Sequence, residues 1–189
     1  MIRKLGNAAR LIQDVLWRRI EVSRVRYIGM AAMISLSLSG LAVAVYWLVF
    51  TWLLALGTPP VPPEGIPHLF EMLIGWVLVA PLGETLIMML LVGIARSLTA
   101  HEGLHILASA VPMGLAHAIE GVSVYDAGGG HAFVSIIGFL VFSLVYVVWR
   151  RTSLRDAFWM CAAVHMIHNL ALVVFTIAEH ALIGGTAPS

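Results

Sequence analysis

The chain has 189 residues, of which 60% are hydrophobic and only 11% charged, with a mean hydropathy of +0.95. A soluble domain of this size carries about a quarter charged residues, so the composition excludes an ordinary soluble protein and specifies an all-α polytopic membrane bundle, one domain rather than two. The formal net charge of +1 conceals an asymmetry: seven of the eleven Lys and Arg precede Tyr27, a pattern that concerns membrane orientation and gives no sign of nucleic-acid binding.

Residues 1–26 read as a basic amphipathic helix, with Leu5, Ala8, Ile12, Val15 and Leu16 at helical spacing and Arg and Lys opposite. Such a helix lies flat on an anionic leaflet, or it serves only to fix topology. The first long apolar run starts near Tyr27 and is too long for a signal peptide's apolar core, so no cleavable signal is expected. The bundle proper is expected over 27–183, as five spans at about 27–56, 68–95, 104–122, 132–149 and 157–183, followed by a tail at 184–189. The first stops at "GTPPVPPEGIP", whose prolines forbid helix continuation. The third is short and expected to be interrupted by Pro112, and "YDAGGGH" makes the turn after it. A single cysteine, Cys161, excludes an internal disulfide, and the nine methionines read as packing.

Five passes put the N-terminus, Arg96 and "RRTSLR" on one side, whereas the loops 57–67 and 123–131 and the tail contain no Lys or Arg. The positive-inside rule then predicts a cell (inner) membrane protein with its N-terminus in the cytoplasm and its C-terminus outside.

Ionisable groups at membrane depth are expensive, so each is a functional candidate. Here they are Glu84, His117, Glu120, His165 and His168, with Asn169 beside the last. Glu84 lies 12 residues from Arg96, His117 lies 12 from His105, and His165 lies 9 from Asp156. At ~1.5 Å per residue these separations are roughly 18, 18 and 14 Å. Three helices thus offer a polar group at nearly one level, which unrelated core histidines have no reason to do. His165, His168 and Asn169 share a helix face, as do His117 and Glu120. A carboxylate in apolar surroundings is a competent general base, and imidazoles hold a water, a metal or a developing oxyanion. The blander roles differ by residue. Glu84 as a mere interhelical hydrogen bond wastes a costly burial. His168 is read as supporting the site or facing another helix, and Glu120 lies near the outer end of its span. His68, His101, His105, His131 and His180 fall at predicted ends or loops and read as interfacial.

In that order and spacing the residues resemble the motifs of the CPBP family (CAAX proteases and bacteriocin-processing enzymes), which are intramembrane proteases. "APLGETLIMM" is similar to the Glu-Glu-x-x-x-Arg motif, with Glu84 as its first glutamate; "MGLAHA" is similar to Phe-x-x-x-His, with His117 as the histidine; "VHMIHN" is similar to His-x-x-x-Asn, with His165 and Asn169 in place. The resemblance covers about Val79 to Val173. The departures are Thr85 at the second glutamate, Met89 at the arginine and Met113 at the phenylalanine. It implies that Glu84 and His117 activate the hydrolytic water while His165 and Asn169 bind water or stabilise the oxyanion; His168, Glu120 and Thr85 are read from their own positions as supporting groups. It implies a membrane-embedded protein or peptide as substrate. Glu84, His117 and His165 would also suit a divalent metal such as zinc, and a metal-free glutamate mechanism suits them equally. The altered first motif leaves open a catalytically silent scaffold or immunity partner that binds other membrane proteins. Deep histidines on facing helices leave open a haem or metal carrier.

Overall fold

The computed structural model describes residues 10, 12–17, 21–49, 69–119 and 129–184. The described chain is an all-α bundle without strands. Helix α1 (Arg24–Leu48) starts at Ser23, whose hydroxyl accepts from the Arg26 amide. Helix α2 is compound: a turn Leu69–Glu71, a π-helical stretch Met72–Val79 and an α-helical stretch Ala80–Leu98. Helices α3 (Glu102–Ile119), α4 (Gly129–Trp149) and α5 (Leu154–Gly184) follow.

Four stretches are long and apolar enough to cross a membrane: Arg24–Tyr46, Met72–Leu98, Ala132–Trp149 and Leu154–Ala178. The remaining expected span, 104–122, falls on α3 as far as residue 119, and residues 120–122 lie outside the described residues. The 18 residues of α3 give a length of about 27 Å, but His105, Ser109 and His117 dilute its apolar character. Pro112 does not interrupt it, contrary to the expectation. Pro112 is exposed, on the side of α3 away from the packed residues Ile106, Ala110 and Met113, and tertiary packing holds the helix through the missing hydrogen bond. The expected continuation of the first span to residue 56 lies outside the described residues.

Helix α4 is the centre of the molecule. Its spanning stretch is 61% buried, against 22 to 39% in the other three, and it packs against α1, α3 and α5. Around it, α1 touches α5, α5 touches α2 and α2 touches α3. Lipid tails are as apolar as side chains, so such helices associate through close packing and interhelical hydrogen bonds rather than through water exclusion. Both devices join α3 to α4. A Cβ placed on Gly114 would lie 2.6 Å from the Ile136 nitrogen and 2.7 Å from its Cα, so only glycine admits this backbone approach. One end of the interface is pinned by the Ser109 hydroxyl donating to Ser143 over 2.8 Å.

The basic ends of the helices meet at one end of the bundle. Arg24 pairs with Asp156 at 3.0 Å and lies over the Trp149 ring. Arg151 grips both carboxylate oxygens of Glu102 and covers the Trp17 ring. The described part of the N-terminal segment packs into this end: Val15 and Leu16 join the core, and the Leu16 carbonyl accepts from the Tyr27 hydroxyl at 2.9 Å.

Candidate functional site

The helix order places α2 between α3 and α5, and the polar groups follow it. Glu84 projects from α2, with His117 on one flank and His165 on the other. His117 Nε2 lies 3.6 Å from Glu84 Oε1, and His165 Nε2 lies 3.3 Å from Oε2. The three residues expected at a common depth therefore meet around one carboxylate. His165 is nearly closed off, its side chain 4% exposed, whereas Glu84 and His117 keep 19% and 23%. The site opens on the α2–α3 side.

The hydrogen-bond partners fix much of its protonation. His117 Nδ1 lies 2.9 Å from the Met113 carbonyl, one helical turn back. A carbonyl only accepts, so Nδ1 carries hydrogen, and in the neutral ring Nε2 presents a lone pair towards Glu84. Two acceptors then face each other across 3.6 Å, a separation suited to the two hydrogens of one water molecule. His165 Nδ1 has no hydrogen-bond partner among the described residues; its Nε2 faces the other carboxylate oxygen at 3.3 Å.

Helix α4 supplies the floor. Phe142 stacks on His165 with centroids 4.1 Å apart and planes at 24°, and Phe139 lies 5.2 Å from the His117 ring and 5.6 Å from that of His165. The two phenylalanines are three residues apart and share a helix face. They hold both imidazoles in place and exclude water from beneath the carboxylate.

The other expected residues are arranged around this centre rather than in it. His168 is buried, with Nδ1 3.0 Å from the Ser35 hydroxyl and its ring edge-on to Phe142. It ties α5 to α1. Thr85 is wholly buried and directs its hydroxyl to the Cys161 sulfur at 3.8 Å. Met89, at the place of the motif arginine, packs against the apolar core. Glu120 lies outside the described residues. His105, expected at the interface, is instead buried, with Nε2 2.8 Å from the Thr99 carbonyl, because the α2–α3 turn folds over it.

Asn169 donates Nδ2–H to the Trp76 carbonyl at 2.8 Å. The reason lies in α2. At Ala80 the backbone N–H reaches back five residues to the Gly75 carbonyl, the π register. In that register the Trp76 carbonyl requires the N–H of residue 81, which is proline and has none. Asn169 provides the missing donor, and so fastens α5 to α2 eight residues before Glu84. Ser35, Phe139, Phe142 and the Trp76 carbonyl are the site-building groups that the sequence reading did not single out.

No group of three or more His, Cys, Asp or Glu among the described residues is disposed to hold a metal ion. The Glu84 carboxylate itself occupies the place between the two imidazoles, one oxygen towards each. Compared with known proteins, the chain matches no family model, no curated protein and no solved structure.

Proposed function

We propose that the chain is an intramembrane endopeptidase of the CPBP kind, hydrolysing a peptide bond in a membrane-embedded protein or peptide. The observation that supports this most is the Glu84 carboxylate set between the Nε2 atoms of His117 and His165, on three adjacent helices over an aromatic floor. A water bound there donates one hydrogen to Glu84 Oε1 and the other to His117 Nε2, and its lone pair is left free towards a substrate carbonyl. Glu84 takes the proton as general base. The oxygen bonds to the carbonyl carbon, and the displaced electron pair becomes an oxyanion beside His165 Nε2–H. Collapse of that intermediate breaks the C–N bond, and Glu84 returns its proton to the leaving amine. Asn169, committed to the Trp76 carbonyl, acts by position: it fixes the packing of α5 on α2 that brings His165 to Glu84.

The second reading, a silent membrane scaffold, draws on Thr85 and Met89, which are spent on packing and supply neither a second carboxylate nor a cation. The two separate in proteoliposomes offered a library of quenched fluorescent transmembrane peptides. Wild type should cleave a subset, and Glu84→Gln and His117→Ala should lose that cleavage while keeping the wild-type unfolding temperature. Cleavage that persists undiminished in Glu84→Gln removes the peptidase reading, and absence of cleavage by wild type across the library favours the scaffold.

A further inference from the structure

The end of the bundle where the basic residues gather contains a pocket of about 470 Å³ between α2, α3 and α4. Its polar wall is made by Arg96, Glu102, His105, Arg150 and Arg151. Three guanidiniums therefore face one carboxylate. That carboxylate is spent, because Glu102 is held at both oxygens by Arg151. His105 is spent as well, on the Thr99 carbonyl. Arg96 and Arg150 form no ion pair with a carboxylate among the described residues. Arg150 Nη1 is moreover buried and has no hydrogen-bond acceptor among the described residues. A guanidinium donor withdrawn from water and left unmatched is costly, and its planar fork suits a multidentate oxyanion. The first turn of α3 opens on the same pocket and adds the positive end of its dipole.

We propose that this pocket binds a phosphoryl anion, held by Arg96 and Arg150 with the Arg151–Glu102 pair as a fixed wall. Free phosphate and a lipid phosphate headgroup share that chemistry. A basic pocket between helices at a membrane surface is placed to receive either. The proposal is independent of the Glu84 site, from which Arg96 is separated by twelve residues of α2, about 18 Å.

The test uses the full chain and follows thermal unfolding by tryptophan fluorescence. One arm titrates inorganic phosphate into detergent-solubilised protein at constant ionic strength. The other compares nanodiscs of phosphatidylcholine alone with nanodiscs containing phosphatidic acid. A bound ligand raises Tm with the logarithm of its concentration. A rise with inorganic phosphate identifies a site that accepts the free anion, and a rise only with phosphatidic acid identifies a headgroup site. In either case Arg150→Gln and Arg96→Gln should lose the rise, whereas Arg155→Gln, which removes an exposed charge outside this pocket, should keep it. No rise in either arm overturns the proposal, as does a rise of equal size in Arg150→Gln and Arg155→Gln. Should Arg150→Gln fail to fold, Arg96→Gln decides alone: loss of the rise upholds the site, and its retention refutes it.

Discussion

In the proposed mechanism Glu84 is the residue on which the chemistry turns, and its neighbours divide into groups that would react and groups that hold. Replacing Glu84 by Gln keeps shape and removes the base, so turnover should fall by about 100-fold or more with the fold intact; peptide cleavage measured beside Tm separates the two effects. Ser35 belongs to the second class. Ser35→Ala deprives buried His168 of its Nδ1 partner and should cost about 1–3 kcal/mol of stability, read as a lowered Tm, without abolishing activity. The sequence revealed Glu84, His117 and His165 because ionisable groups stand out in apolar helices and their distances from charged ends can be counted. It did not reveal Ser35, Phe139 or Phe142, since a serine or phenylalanine in a membrane helix is unremarkable until its neighbour is known. His168 stood out equally but had no assignable role, because that role belongs to α1, 133 residues away.

Two helix contacts convert these residues into a site. The first is the α3–α4 approach at Gly114, three residues before His117. Gly114→Ala drives a methyl into the Ile136 backbone, which should cost about 1–3 kcal/mol and carry His117 away from Glu84. The measurement is Tm together with cleavage rate, and loss of rate with an unchanged Tm would contradict the packing account. The second is the clasp between Asn169 and the π-helical stretch of α2. Asn169→Leu strands the Trp76 carbonyl and should lower Tm. In a Pro81→Ala background the same change should cost less, because an N–H at position 81 can then reach that carbonyl. A double-mutant cycle reads this coupling directly, and additive effects would show that the proline is not the cause. Neither contact was legible beforehand. The motif spacing placed Asn169 on the face of His165, but its partner depends on a helical register that hydropathy does not encode. For the same reason Pro112 looked like a break, although packing carries α3 through it.

The bundle as a whole was the most legible part, because apolar runs of about 20 residues between polar turns leave few alternatives. Four stretches have that length and apolarity. The central place of α4 was not visible, since the helix that builds the floor of the site carries no ionisable group at depth. The basic end, where Arg24 meets Asp156 and Arg151 meets Glu102, is expected to face the cytoplasm, with five passes and the C-terminus outside; a reporter at the C-terminus that is active only outside the cell should be active, and activity of a cytoplasm-only reporter there would contradict the topology. The central claim is that Glu84, flanked by His117 and His165, cuts peptide bonds within the membrane. Its most direct measurement is a mass-spectrometric comparison of new N-termini in membranes of cells expressing the wild type, Glu84→Gln or His165→Ala at equal levels. The account predicts a set of termini found with the wild type and missing from both variants. Identical sets in all three would contradict it.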